Sequence, residues 1–134
     1  MVHIVKGHPT HTRAEDIPSS AFKRTMLKSK IHRATVTGSE LDYEGSIAID
    51  TELCEQANLL PYERVEIYNI NNGARFATYV IPGKSGEVCL NGAAARMVQK
   101  GDLIIIASYF NLPNSMCREY QPQVVLVNNE NQII

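Results

Sequence analysis

The segment Tyr43-Glu44-Gly45-Ser46 has residue types and an order that can carry chemistry, because a glycine comes directly before a serine where a strand begins. The serine hydroxyl can attack the carbonyl that precedes it, which converts the peptide bond into an ester. A glycine at that carbonyl has no Cβ, so it tolerates a strained backbone and leaves the carbonyl open to attack. A Gly-Ser pair more often marks only a turn, so the pair alone leaves both interpretations open.

The rest of the chain lacks the common catalytic motifs. It contains no Ser-His-Asp spacing signature, no HExxH, no phosphate-binding glycine loop and no dinucleotide fingerprint. The three cysteines, Cys54, Cys89 and Cys117, are widely spaced and form no CxxC pair. We therefore expect reduced thiols rather than a disulfide framework, and we expect no metal site.

The 134 residues, 44% of them hydrophobic and 20% charged, have the composition of one soluble globular domain. The net charge is −1 and no Lys/Arg cluster can neutralise several phosphates, which argues against nucleic acid as a partner. The longest aliphatic run, Leu103 to Ile106, is far shorter than the roughly 20 residues of a membrane helix. The first residues show no secretory signal pattern, so the sequence predicts a cytoplasmic protein.

Residues 1–22 are polar, contain glycine and proline, and show neither a helical nor a strand period. We expect a flexible N-terminal extension there and one domain over residues 23–134. His3, His8 and His11 lie in the extension without an acidic or thiol partner, which favours a flexible tail over a metal site.

The segment from Ile31 onward is rich in β-branched residues, with turn signals between the runs, and this predicts a mainly β protein. The expected strands cover residues 31–37, 45–50, 65–70, 74–81, 102–110 and 123–128. Between two of them, Asn71-Asn72-Gly73 predicts a tight hairpin turn, because an Asn-Gly pair supplies the positive φ angles that such a turn needs.

Two short helices are expected to interrupt the strands. The first covers residues 51–58 with Asp50 as its N-cap, and the second covers residues 92–99 after Asn91, with Gly101 as a stop signal. Many short strands with brief helices and no regular βαβ alternation favour a small closed barrel, which removes exposed strand edges.

Four blocks of sequence together carry a resemblance to a known family. They are residues 24–33 (RTMLKSKIHR), 43–46 (YEGS), 72–79 (NGARFATY) and 91–95 (NGAAA). In order and approximate spacing, the chain resembles the bacterial aspartate α-decarboxylase family from about Phe22 to about Val127. The resemblance implies a six-stranded double-ψ β-barrel that forms a homotetramer with active sites at the subunit boundaries.

The resemblance also implies that Ser46 becomes a covalent pyruvoyl group. Its hydroxyl attacks the Gly45 carbonyl, the ester eliminates to dehydroalanine, and hydrolysis releases ammonia. None of the twenty side chains is an electron sink, and a ketone next to an amide supplies one for the loss of CO₂. The expected substrate is L-aspartate and the product is β-alanine, which feeds pantothenate and coenzyme A biosynthesis. A helper protein for maturation stays an open alternative to spontaneous cleavage.

Three side chains are assigned by the resemblance to substrate and catalysis. Arg75 binds a substrate carboxylate, which its planar guanidinium fits bidentately. Tyr79 is the proton donor, because a phenol with a pKa of about 10 stays protonated at neutral pH. Lys30 approaches the substrate across the subunit boundary, where a cation attracts a dianion. The alternatives are an exposed strand arginine, a core aromatic residue and a solvated lysine.

Further positions follow from the same blocks. Gly92, Ala93 and Ala94 open a helix whose free N–H groups can hold the substrate carboxylate or the oxyanion of the acyl shift. Thr78 contacts substrate in the family, although it faces away from Tyr79 on an ideal strand. His32 matches a family position near the site, and a hydrogen-bonded strand histidine is its alternative. The residues assigned to self-processing are Gly45, Ser46, Thr78, Asn91 and Tyr43.

Two functions of other classes compete with this one. A catalytically silent barrel would bind a small anion or a protein through the Arg75 face and the helix start after Asn91. A nucleic-acid-binding barrel would need a basic stripe, which the near-neutral charge makes the weakest of the three hypotheses.

Overall fold

The computed structural model describes residues 12–134, so the three histidines at positions 3, 8 and 11 lie outside the described residues. The described residues are mainly β, with 46% of them in strands, as the sequence predicted. It divides into two compact units. The larger unit contains residues 27–109 and 122–134, and the described part of the smaller unit contains residues 12–26 and 110–121.

The described residues form eight strands and several short helices. The strands are β1 (Lys23–Thr35), β2 (Gly38–Glu40), β3 (Ser46–Asp50), β4 (Arg64–Asn69), β5 (Arg75–Gly83), β6 (Val88–Asn91), β7 (Leu103–Pro113) and β8 (Gln123–Leu126). The α-helices are α1 (Thr51–Gln56) and α2 (Asn114–Cys117), and the 3₁₀ helices are Ala14–Asp16, Ser19–Ala21 and Gly92–Met97. Within residues 12–134, no helix is both long and apolar enough to cross a membrane.

The strands pair in the order β2-β6-β3-β5-β4-β7-β1-β8. Strand β3 runs antiparallel to β6 and parallel to β5, so its two neighbours have opposite directions. All five residues of β3 are buried, and Ile47 and Ile49 belong to the hydrophobic core. The serine of the Gly-Ser pair therefore opens a strand that neighbours enclose on both sides.

The six strands expected from the β-branched runs are present, but the first of them, β1, begins at Lys23 rather than at Ile31, and the ends of the others differ by up to three residues. The hairpin between β4 and β5 is also confirmed. Its turn differs from the expected one, which has positive φ angles at both Asn72 and Gly73. Only Gly73 has a positive φ, of 75°. The side chain of Asn69 stabilises the turn by accepting hydrogen bonds from the Asn71 and Asn72 amides at 2.9 and 3.4 Å.

The two expected helices have different outcomes. Helix α1 begins as predicted, since the Asp50 carboxylate accepts a hydrogen bond from the Glu52 amide at 2.8 Å. The second is a 3₁₀ helix that ends at Met97, and Asn91 does not cap it with its side chain. Strands β2 and β6 and the first half of β1 were not expected from the sequence.

In the smaller unit, Asn114 at the start of α2 is the centre of a polar network. Its Nδ2 donates to the Ser19 hydroxyl at 2.8 Å, and its Oδ1 accepts from the Arg24 guanidinium at 2.6 Å. The guanidinium of Arg24 also lies 5.3 Å from the centre of the Phe22 ring. The boundary expected at residue 22 between an extension and a domain stays a prediction.

In the larger unit, a polar cluster joins β1, β7 and the residues just before β4. The Glu63 carboxylate accepts hydrogen bonds from Lys28 Nζ on β1 and from the Ser108 hydroxyl on β7, both at 2.6 Å. It also accepts from the Leu60 amide at 3.0 Å. Burial raises the pKa of the Glu63 carboxyl, but these three hydrogen bonds and the charge of Lys28 outweigh burial and hold it below the ordinary 4.5.

This cluster predicts a loss of stability in acid. Because the pKa is lower in the folded chain, the stabilisation is complete above pH 4.5 and is lost as the pH falls through the folded-state pKa. Glu63→Gln should lower the free energy of unfolding by about 1–2 kcal/mol at neutral pH, since charged hydrogen bonds become neutral. Urea unfolding from neutral pH down to about pH 3 should show the wild-type and variant curves converging. A difference that stays constant with pH would contradict the assignment.

Candidate active site

A cavity of about 680 Å³ opens beside the N-terminal end of β3 in the larger unit. Four of the residues singled out in the sequence line it, namely Tyr43, Ser46, Tyr79 and Asn91. The other lining residues are Glu40, Glu44, Ala48, Tyr62, Ile81, Pro82, Glu87 and Cys89. The structure thus brings the Gly-Ser segment together with the 72–79 and 91–95 blocks.

Ser46 is held from two sides at the edge of this cavity. It is only 3% exposed, and its hydroxyl donates to the Glu44 carbonyl at 3.1 Å. The side-chain amide of Asn91 donates to the same oxygen at 3.0 Å. Because one group takes the proton and the other occupies a lone pair, the hydroxyl has a fixed orientation next to the Gly45–Ser46 peptide bond.

Strand pairing brings Asn91 to this position. Ser46 and Asn91 are Cα partners in the antiparallel pair of β3 and β6, so their side chains lie on one face. The Oδ1 atom of Asn91 accepts from the Cys89 thiol at 3.5 Å. Both ends of the Asn91 amide are therefore occupied within the sheet, which explains why this side chain does not cap the helix that follows.

Gly92 makes a very close backbone approach to the Gly-Ser segment. Its φ is 66°, and a Cβ there would lie 2.5 Å from the Gly45 nitrogen, 2.6 Å from Gly45 Cα and 2.8 Å from the Tyr43 carbonyl oxygen. No side chain fits at such distances from backbone atoms. At Gly45 itself φ lies outside the left-handed region and a Cβ would meet no atom within 4 Å, so the position in this contact that requires a glycine is 92.

Two tyrosines, Tyr79 and Tyr62, also line the cavity. Extension of the β3–β5 register by one residue from Ile47–Val80 places Tyr79 beside Ser46. The rings of Tyr79 and Tyr62 are 6.2 Å apart at 38°. Tyr62 has a φ of 71°, which is unusual for an aromatic residue, and its side chain is 79% exposed. The cavity therefore offers phenol hydroxyl groups on the side of the serine.

The charged groups that line the cavity are all acidic. They are Glu40, Glu44 and Glu87, and no lysine or arginine belongs to the lining within residues 12–134. Burial raises the pKa of the Cys89 thiol, and the carboxylates of Glu87 and Glu40 raise it further, so the thiol stays protonated. Within residues 12–134, the lining of this cavity therefore contains no cation that could bind an anionic ligand.

Arg75 lies at the other end of β5. It is four residues before Tyr79, which corresponds to about 13 Å along a strand. Its guanidinium stacks 3.9 Å from the centre of the Tyr68 ring, and the Tyr68 hydroxyl lies 2.9 Å from that of Tyr109. The hydrogen bond with Tyr68, with burial and the Tyr68 charge, raises the pKa of Tyr109 to about 12. The arginine is exposed and does not line the cavity of its own chain.

Lys30 and His32 are also outside the cavity. They lie on β1, where they pair with Val124 and Leu126 of β8. Burial lowers the pKa of His32, and the charges of Lys30 and Arg33 lower it further, so the imidazole is neutral at pH 7. Lys30 and His32 therefore lie on one strand, and neither lines the cavity beside Ser46.

Three further positions of the expected site are not in the cavity lining. Thr78 pairs with Val65 and alternates with Tyr79, as expected for a regular strand. Ala93 and Ala94 follow Gly92 in the 3₁₀ helix, with Ala93 exposed and Ala94 buried. Their roles toward substrate stay predictions.

Sequence reasoning missed several lining residues, chiefly Cys89, Tyr62 and the three glutamates. A signal existed for two of them: Glu44 lies inside the Tyr43–Ser46 block, and Cys89 lies two residues before Asn91, the spacing that puts both on one face of a strand. Tyr62 shows no local signal, because its position depends on a turn between α1 and β4. In the described part of the chain, no three His, Cys, Asp or Glu residues are grouped to hold a metal ion.

The chain is similar to known proteins over most of its length. The family model described as aspartate decarboxylase matches residues 22–134. A protein of Syntrophus aciditrophicus named aspartate 1-decarboxylase is 62% identical over 84% of this chain and 98% of its own length. Proteins of the same name from Pelotomaculum thermopropionicum and Bdellovibrio bacteriovorus are 61% and 59% identical over 82% and 81% of this chain, and over 85% and 88% of their own lengths. The chain belongs to the aspartate decarboxylase family.

Proposed function

We propose that this chain is the precursor of a pyruvoyl-dependent enzyme, which cleaves itself between Gly45 and Ser46 and then converts L-aspartate to β-alanine and CO₂. The activity that follows from family membership is that of aspartate 1-decarboxylase, a carboxy-lyase. The observation that supports self-cleavage best is the Ser46 hydroxyl, buried and held by Glu44 and Asn91 beside the bond that must break.

The first step is an acyl shift within the chain. The Ser46 oxygen bonds to the Gly45 carbonyl carbon, the carbon–nitrogen bond breaks, and the hydroxyl proton ends on the Ser46 amine. Removal of the Ser46 Cα proton then breaks the Cβ–O bond, which releases residues 1–45 with a carboxylate at Gly45 and leaves a dehydroalanine terminus at position 46. Water converts this terminus to a ketone and releases ammonia. The Asn91 side chain, which already donates to Ser46 Oγ, keeps that oxygen in place for the attack.

The residues around Ser46 fit a pyruvoyl terminus. Cleavage there makes residue 46 the first residue of β3, whose pairing with β5 and β6 then anchors the new terminus at the cavity. When formed, the group supplies the electron sink that decarboxylation needs.

The position of Tyr79 supports its role as the proton donor in this proposal. Tyr79 lines the cavity next to residue 46 by strand register, and its phenol hydroxyl is a hydrogen-bond donor. The Tyr62 ring, whose centre is 6.2 Å from that of the Tyr79 ring, lines the same cavity. Tyr79 can therefore deliver a proton to a carbon held at residue 46.

The charge of the cavity supports a site shared by two copies of the chain. Aspartate is a dianion apart from its amine, and the lining presents three carboxylates without a cation. Arg75 and Lys30 have the required charge but lie on other parts of the larger unit. We propose a homotetramer in which Arg75 and Lys30 of one copy face the cavity of the next, with the barrel of the double-ψ type and a cytoplasmic location.

The self-cleavage proposal predicts two chains, residues 1–45 and 46–134. The larger should be lighter than its simple hydrolysis product by the mass of one ammonia, because its terminal amine has become a ketone. Denaturing mass spectrometry of purified protein measures both masses. Ser46→Ala removes the nucleophile and leaves the core intact, so it should stay full length with an unchanged melting temperature. A wild-type chain that stays intact after long incubation, with cell extract added to supply any helper, would refute the proposal.

The close approach of Gly92 predicts that Gly92→Ala slows cleavage strongly. The added methyl displaces the Tyr43–Gly45 segment, and a shift of about 1 Å near the reacting atoms can cost on the order of 10²-fold in rate. Gly73→Ala is the matched control, because its φ of 75° imposes the same strain while a Cβ there meets no atom within 4 Å. The cleaved fraction over time is measured for both. Equal rates in the two variants would mean that strain, not the contact with Gly45, determines the effect.

The shared site predicts complementation between two inactive variants. Arg75→Ala chains are cleaved but lack the carboxylate anchor, whereas Ser46→Ala chains keep Arg75 and are not cleaved. Equal co-assembly of the two should restore activity at roughly a quarter of the sites, since only those combine a cleaved chain with an intact arginine. β-Alanine formation by the differently tagged, co-purified assembly is the measurement. Co-assembly without restored activity would place Arg75 in the site of its own chain.

A further inference from the structure

We propose that Cys89 is a positioning residue for self-cleavage, because its thiol holds the Asn91 side chain in the orientation that donates to Ser46. This inference rests on the self-cleavage proposed above. It concerns a residue outside the four sequence blocks, two positions before Asn91 on β6.

The evidence begins with the two ends of the Asn91 amide. Its Nδ2 lies 3.0 Å from Ser46 Oγ, and its Oδ1 lies 3.5 Å from Cys89 Sγ. A carbonyl oxygen accepts and an amide nitrogen donates, so the two ends of the side chain are not equivalent. A thiol proton on the Cys89 side selects the orientation with oxygen toward Cys89 and nitrogen toward Ser46.

The opposite orientation would weaken the attacking group. Rotation of the amide by a half-turn would put Oδ1 against Ser46 Oγ, where it would compete with the Glu44 carbonyl for the hydroxyl proton. The serine oxygen would then lose the donor that holds it, and the hydroxyl would turn between two acceptors. The fraction of chains with the oxygen placed for attack would fall.

The surroundings of Cys89 keep its proton in place. The side chain is 7% exposed, and it shares its face of the sheet with Asn91 and with Ala48, its Cα partner on β3. The carboxylates of Glu87 and Glu40 and the burial of the thiol all favour the protonated form. Besides Asn91 Oδ1, the thiol has the Leu90 carbonyl as an acceptor, at the longer distance of 4.0 Å.

The other two thiols differ in this respect. Cys54 donates to the Ile49 carbonyl at 3.7 Å, and Cys117 donates to the Leu112 and Pro113 carbonyls at 3.6 and 3.4 Å. Only Cys89 has a side-chain acceptor among these contacts, and that acceptor belongs to the group that holds the nucleophile. Cys54, which is 9% exposed, therefore serves as a control for loss of a buried thiol.

The experiment compares three substitutions at position 89. The full chain is synthesised during a pulse of labelled amino acid, and the rate at which the labelled precursor disappears is measured. Cys89→Ala and Cys89→Val both remove the donor, and the valine also fills the volume of the thiol. Each should slow cleavage by about three- to tenfold, which corresponds to the loss of one weak hydrogen bond. Cys89→Ser keeps a donor and should cleave at the wild-type rate. Cys54→Ala should also leave the rate unchanged.

The rates are compared between variants whose precursors have melting temperatures within a few degrees of the wild type. If the alanine variant does not fold, the comparison of serine with valine still decides, because these two differ in the donor. A valine variant as fast as the wild type, or a serine variant as slow as valine, would overturn the role of Cys89 alone. A wild-type chain that does not cleave at Gly45–Ser46 would instead remove the proposed function and this inference together.

Discussion

The approach of the Gly92 backbone to Gly45 is the contact on which the candidate site depends. A Cβ at position 92 would lie 2.5 Å from the Gly45 nitrogen, so only glycine allows this turn to meet the Gly-Ser segment. The residue before it, Asn91, ends β6 opposite Ser46 and donates to the serine oxygen. One short piece of chain therefore ends a strand, begins a 3₁₀ helix and holds the hydroxyl of Ser46.

The charges of the cavity and of Arg75 differ in sign and in position. The cavity of the larger unit contains a buried serine, two tyrosines and three glutamates, and its described lining holds no cation. The proposed acyl shift would use the hydroxyl of Ser46 that is held at this cavity. The guanidinium of Arg75 is stacked on Tyr68 instead and does not line the cavity. In the proposed assembly, a second copy that presents this guanidinium would add a cation without changing the groups that hold Ser46.

The parts of the fold that the sequence predicted are those determined by neighbouring residues. β-Branched runs specify the longer strands, and Asp50 caps α1 through the Glu52 amide two residues away. Strands β2 and β6 have three and four residues and pair with distant segments, so no local pattern identified them. Asn91 has the residue type of a helix cap, yet its side chain bonds across the sheet to Ser46, because the β3–β6 register places the serine beside it. Local propensity could not reveal that register.

The position of the proposed cleavage explains how a buried strand can lose its preceding peptide bond and stay folded. The bond lies at the first residue of β3, so both neighbours of β3 remain paired with residues 47–50 or 46–49 after it breaks. Residues 1–45 would still be held by their own pairing, since Ile31 pairs with Val125 on β8 and Ser39 pairs with Leu90 on β6. Ile31 is fully buried, and its removal from the core would expose apolar surface worth about 1.5–3 kcal/mol. Strand pairing and core packing, to which the cleaved bond does not contribute, would therefore hold the two chains together, and the new terminus would stay at the cavity that Asn91 and Tyr79 line.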